Sequence, residues 1–252
     1  MTILPLIRFA RCFAVFAPTL ALVSAAPSDD AARVAREGKL LFADDFNRAE
    51  TAPNVDALGN GWTTNSPWRA DNRKQAFMAG GMMWIKTAEG ASHGAAIFHD
   101  FGGVFRDGAI QVRFRMTPGD SISVEFADPE CKEVHAGHIA NAVIDKNGIT
   151  LKDLKAGNQS LAVAKRREKE GLTPELKAFL QSKNVTFPFR PTEGRWHLLT
   201  LVARGDLFRV SVDDQLVGEL KSEGIAHPTK RKLIIGASQS PQLDDIKIWS
   251  LN

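Results

Sequence analysis

The chain has 252 residues and a formal net charge of +3 at pH 7. That is length enough for one domain with a substantial core. Arg8 and Arg11 are the charged side chains of residues 1–26, and subtracting them from +3 leaves +1, too little basic field to make nucleic acid the main partner. Cys131 is the one cysteine beyond residue 26, which excludes an internal disulfide framework in a chain that starts there.

Residues 1–26 read as a secretory signal. Arg8 and Arg11 form its basic start, Cys12 to Val23 is mostly apolar, and Ser24-Ala25-Ala26 places small residues at a cleavage point. The apolar run is too short for a membrane span, and no later stretch approaches eighteen apolar residues. The expected destination is outside the cell or the periplasm. Residues 27–39 read as a flexible polar leader, and 40–252 as a single domain.

Structure is expected to begin at Leu40-Leu41-Phe42, ahead of Asp44-Asp45-Phe46. Residues 47 to 70 carry Asn, Gly and Pro signals and read as a long loop holding Trp62 and Trp68. Ala76 to Lys86 is a hairpin turning at Gly80-Gly81, and Ala95 to His99 is a short apolar run. Ala109 to Met116 alternates, with Ile110, Val112 and Phe114 against Gln111, Arg113 and Arg115. After Pro118-Gly119-Asp120, Ser121 to Ala127 alternates again, with Ile122, Val124 and Phe126 against Ser123 and Glu125. Ile139 to Ile144 and Ile149 to Leu151 flank a turn at Asp145 to Gly148.

One helix is predicted near 172–183, where Leu172, Leu176, Phe179 and Leu180 recur at helical spacing behind Thr173 and Pro174. The charged run Lys165 to Glu170 before it reads as a solvated excursion. Arg195 to Glu219 is the strongest hairpin, turning at Gly205-Asp206 with a second turn at Asp213-Asp214. Lys232 to Gly236 and Leu243 to Trp249 complete the set. Many short strands with regular turns predict an all-β, two-sheet antiparallel sandwich.

The DDFNR of the first strand (Asp44 to Arg48), the late RWHLLTLVARGDLFRVSVDDQLVGE hairpin and the closing DDIKIW (Asp244 to Trp249) together resemble the concanavalin A-like lectin/glucanase superfamily. Within it they are similar to the secreted bacterial 3-keto-disaccharide hydrolase-like domains, grouped with family 16 glycoside hydrolases. The resemblance implies a jelly roll whose concave sheet makes a carbohydrate groove. The chain departs from the family 16 pattern E-x-D-x-(x)-E. Its nearest stretch is Glu125-Phe126-Ala127-Asp128, whose spacing puts the two carboxylates on opposite faces of a regular strand. Ala140 and Ala142 stand where the keto-disaccharide hydrolase-like domains often carry an acid and a glutamine.

The densest polar cluster, in VEFADPECKEVHAGHIA, supplies the candidate catalytic residues Glu125, Asp128, His135 and His138. Imidazole titrates near neutrality and suits acid–base work or sugar contact. Cys131 with His135 and His138 could instead bind zinc or copper, and ordinary loop hydrogen bonding is the third reading. Arg113 and Arg115 are candidate substrate-binding residues if their face adjoins that of Glu125, and Trp62 and Trp68 if they stack on sugar rings. Asp44 and Asp244, on the first and last strands, are candidate ligands of a structural calcium ion; no other cofactor is expected. The expected partner is carbohydrate and the expected state a monomer. The expected activity is glycan binding with glycoside or 3-keto-glycoside hydrolysis, against a non-catalytic binding module or a structural envelope protein.

Overall fold

The computed structural model describes residues 28–251. The expected signal segment lies outside the described residues. Fifteen strands appear among the described residues: β1 (Lys39–Asp44), β2 (Thr63–Thr64), β3 (Ala76–Ala79), β4 (Met82–Ile85), β5 (Ala95–Phe105), β6 (Gly108–Arg115), β7 (Ser121–Ala127), β8 (His138–Asp145), β9 (Gly148–Asp153), β10 (Asn184–Phe187), β11 (His197–Arg204), β12 (Leu207–Val212), β13 (Gln215–Lys221), β14 (Lys230–Ser238) and β15 (Gln242–Ser250). The α-helices among the described residues are α1 (Asp30–Glu37), α2 (Ser66–Arg69), α3 (Leu161–Glu170) and α4 (Pro174–Ser182), with single 3-10 turns at His135–Gly137 and Glu223–Ala226.

The strands form two antiparallel sheets. The first runs β13-β12-β11-β6-β15-β4-β3, with β1 also on β15; the second runs β10-β9-β8-β7-β14-β5-β2. Alternation decides what lies between them. In β7, Ile122, Val124 and Phe126 are buried in the core, and in β12, Phe208 and Val210 meet them from the other sheet. Phe126 and Phe208 touch edge to face, with ring centroids 6.1 Å apart. Each such ring contributes about 1.5–3 kcal/mol by leaving water.

Turn chemistry follows the expected positions. Gly205, at φ +56, starts the two-residue turn between Arg204 and Leu207. Asp213 and Asp214, at φ +50 and +57, close the β12–β13 hairpin. Gly80 and Gly81 turn the β3–β4 hairpin. The φ > 0 requirement of tight hairpins places each of them.

Three regions differ from expectation. Residues 30–37 are helix rather than flexible leader. Val34 of α1 is buried against Ala109 and Val202, with Trp249 and Leu251 beside it, and Asp30 is buried under Arg209 and Ser211. This explains why β11 is apolar on both faces: Leu201 points to the inter-sheet core and Val202 to α1. The charged run 165–170 lies in α3, capped by Ser160, whose hydroxyl accepts from the Val163 amide; no residue of α3 is buried. The predicted helix is α4, capped by Thr173 with Pro174 at its start, and only Leu176 is buried there. Finally, β6 and β7 are not neighbours. The turn after β6 carries the chain across the core, so β6 pairs with β11 and β15 while β7 pairs with β8 and β14. Among the described residues no helix is long and apolar enough to cross a membrane.

Candidate functional site

Register builds the floor of a cleft on the outer face of the second sheet. Thr63, Phe98, Ile234, Glu125 and Asn141 fall in one row across β2, β5, β14, β7 and β8. Their chain neighbours Ile97, Leu233, Ile235, Val124 and Phe126 point the other way into the core. Above this row lies an open cavity of about 490 Å3.

The two walls come from loops. On one side the short α2 presents Trp68, 60 % exposed, with its indole stacked on Phe98 at 6.0 Å between centroids. On the other side the β7–β8 connection presents His135 and His138. Strand spacing would send these two histidines to opposite faces. Instead Ala136 and Gly137 take left-handed backbone, φ +49 and +78, and the imidazoles end up stacked 6.1 Å apart. Glycine is required at 137, because a Cβ there would lie 2.4 Å from the Asp128 carbonyl oxygen.

The chemistry centres on His138 and Glu125. His138 Nδ1 lies 2.5 Å from Glu125 Oε1. Glu125 is 4 % exposed, and burial pushes its carboxyl above the usual range against the opposing pull of His138. Burial alone would depress His138, but the hydrogen bond and charge of Glu125 outweigh it and hold the imidazole above its ordinary value. Among the described residues nothing bonds Nε2 of His138, and His138 lines the cavity. An imidazole held at Nδ1 by a carboxylate leaves Nε2 to take up or release a proton. Beside Glu125 in register, Asn141 donates to Ser123 Oγ at 3.0 Å, while its buried Oδ1 has no partner.

The other expected site residues lie elsewhere. Asp128 is not the partner of Glu125. Its carboxylate accepts from Arg231 at 2.9 Å, from the Glu130 amide at 2.9 Å and from Thr229, and it meets His227 Nε2 at 3.1 Å. Cys131 is packed in the core and, among the described residues, forms no three-ligand metal cluster with the cleft-lining histidines. Arg113 and Arg115 stand on the outer face of the first sheet, on the opposite side of the sandwich, because β6 belongs there. They flank the Trp196 ring at 5.2 and 4.9 Å, and Arg113 pairs with Asp244 at 3.1 Å. Trp62 is a core residue beneath the loop, 6 % exposed, with its indole N–H donated to Asp44 at 2.8 Å.

Asp44 does not suit a cation. Its two oxygens accept from Arg48, Asn60, Trp62 and the Phe46 amide, which leaves no carboxylate edge for calcium. Among the described residues no group of three or more His, Cys, Asp or Glu side chains is placed to hold a metal ion. Phe98 and Arg69 line the cleft without having been singled out from the sequence; Lys232, also in the lining, ends the basic stretch His227 to Lys232, which reads from the sequence as solvated charge ahead of an anionic-glycan contact. Alternation in Ala95 to His99 marks Phe98, the outward partner of Ile97 and His99; nothing local marks Arg69.

The strand order and two-layer packing define a concanavalin A-like jelly roll, and solved structures share it. An endo-β-1,3(4)-glucanase of family GH16, SCLam, is 12 % identical with a TM-score of 0.55, covering 86 % of this chain and 92 % of its own. The laminarinase from Rhodothermus marinus is 13 % identical with a TM-score of 0.56, covering 84 % of this chain and 97 % of its own. A CBM2 module of the evolved Dit of Lactobacillus casei BL23 phage J-1 is 10 % identical with a TM-score of 0.52, covering 84 % and 96 %. No protein-family model and no curated relative matches the chain. At these identities the likeness defines the fold, and two enzymes and one module share it.

Proposed function

We propose that this is an exported carbohydrate-active protein that binds a glycan in the cleft over the second sheet. His138 exchanges a proton with the bound sugar, and Glu125 holds His138 in place. The observation that carries this reading is the Glu125–His138 pair at the floor of a cleft walled by an exposed indole. Trp68 over Phe98 offers a flat apolar surface to the C–H face of a pyranose, with polar groups around it to fix orientation.

The reaction that fits this site is hydrolysis of a glycoside or 3-keto-glycoside through the imidazole. Two-carboxylate glycosidases hold their acids about 5–5.5 Å or 6.5–9.5 Å apart across the scissile bond. The lining of this cleft contains no Asp or Glu, and Glu125 lies behind His138. The same missing pair favours a second reading, a non-catalytic glycan-binding module.

A glycan array and a keto-sugar hydrolysis screen on the chain from residue 27 test both. Glycan binding lost in Trp68→Ala supports the cleft. Turnover lost in Glu125→Gln and His138→Ala, with binding retained, makes the protein an enzyme; binding without turnover makes it a module. No glycan bound and none cleaved overturns the proposal.

A further inference from the structure

The ionisable groups that line the cleft are all basic. Arg69 comes from α2, Lys232 from β14, His93 from the segment before β5, and His135 and His138 from the opposite wall. No Asp or Glu joins them. The acids around the cleft are buried, paired or exposed: Glu125 is buried beneath His138, the exposed Asp100 pairs with Lys232 at 3.2 Å, and Glu130 pairs with Arg231 at 3.0 Å. Arg69 has no acidic partner among the described residues, and it follows Trp68 in the chain and lines the cleft with it.

A neutral glucan would find here an aromatic platform and also a lining whose charges are positive, with Arg69 unpaired among the described residues and Lys232 paired only with the exposed Asp100. Two cations that line the cleft with a stacking surface, Lys232 at 6.0 Å from the Phe98 ring, match a sugar ring that carries an anion. From this lining we infer that the glycan recognised in the cleft is acidic, bearing a carboxylate or a sulfate ester that Arg69 and Lys232 receive while Trp68 stacks on its ring. The inference rests on the proposed carbohydrate reading and narrows its substrate class. A guanidinium takes carboxylate or sulfate oxygens in a bidentate fork, and Lys232 adds a point charge.

The test uses matched probes by calorimetry: tetragalacturonate against its methyl ester, and a carrageenan tetrasaccharide against its desulfated form. The expected result is at least about tenfold tighter binding of one charged probe than of its neutral partner, since a hydrogen bond to a charged group is worth about 1.5–3 kcal/mol. That advantage shrinks as salt is raised, because the cleft is open to solvent. Arg69→Gln and Lys232→Gln each weaken the charged probe about fivefold or more and leave its neutral partner unchanged, whereas Trp68→Ala weakens both. Circular dichroism verifies that the variants fold. The pair preferred identifies carboxylate or sulfate as the anion. Equal binding of charged and neutral partners that is still lost in Trp68→Ala overturns the acidic class and keeps the carbohydrate reading. Binding of none of the four probes at millimolar concentration, with other glycans retained on the array, also overturns the acidic class. Failure of every glycan overturns both.

Discussion

Glu125 and Asp128 are three residues apart, both almost fully buried, and both in contact with a histidine, yet they are held in opposite states. Asp128 collects Thr229, the Glu130 amide, His227 and Arg231. Together these outweigh the cost of burial and hold its carboxyl below the usual range. Its imidazole partner His227, depressed by burial more than Asp128 raises it, stays below its ordinary value. Glu125 has His138 alone; its carboxyl is pushed up, and so is the imidazole. The number of donors, rather than the presence of an acid beside a histidine, separates the two. A carboxylate with several donors and a full positive charge is a fastening. A buried carboxylate whose one donor is a histidine lining a cleft is able to share a proton with it.

The largest effect that would sharpen this contrast is on turnover. Glu125→Gln should lower hydrolysis by about 10²–10⁴-fold, the usual worth of a positioned acid–base group, with little change in glycan affinity. Steady-state kinetics beside calorimetry measures both. Asp128→Ala should act on stability instead. It leaves His227, Thr229 and the Glu130 amide without their acceptor and Arg231 with Glu130 alone, at a cost of about 1–3 kcal/mol in urea unfolding. If the two variants exchange effects, the contrast is wrong.

Gly137→Ala comes next. The added Cβ would collide with the Asp128 carbonyl and strain a left-handed residue, costing about 1–3 kcal/mol and separating His138 from Glu125. A lower melting temperature together with weaker turnover is the expected outcome. The smallest effects are pH-dependent. Folded His138 holds its proton more tightly than the unfolded chain does. Its contribution is therefore complete below the unfolded value of 6.5 and is lost as pH rises through its folded value. Asp128, whose folded value is depressed, contributes above 3.8 and loses that contribution as pH falls through its folded value. Stability should thus fall at both ends; Glu125→Gln should flatten the upper limb and also remove the loss that a raised carboxyl brings as pH rises from 4.5 through its folded value. The comparison belongs below the range of Lys230, a fully buried lysine that burial pushes down to about 8.

Strands and turns were legible because alternation and φ > 0 residues are local properties. The β11–β12 hairpin and its Gly205 turn stand where expected, as does α4 behind Thr173 and Pro174. What local pattern cannot carry is the choice of partner strand. The Pro118-Gly119-Asp120 turn looks like a hairpin connection, yet it takes the chain between sheets, and so Arg113 and Arg115 finish on the far side from Glu125. Ala136 carries no mark of its left-handed backbone, so the pairing of His135 with His138 was legible only as dependent on an irregular loop. The α1 helix was hidden because its short polar stretch has one buried apolar residue, Val34, whose partners lie far along the chain.

The most direct measurement is a titration of the labelled protein with each glycan that the array retains, followed by NMR of the indole N–H and imidazole resonances. Trp68, His135 and His138 should shift while Trp84 and Trp196, on the first sheet, stay in place. Shifts confined to Trp84 and Trp196, or a bound glycan that moves neither histidine, would contradict a carbohydrate site over the second sheet.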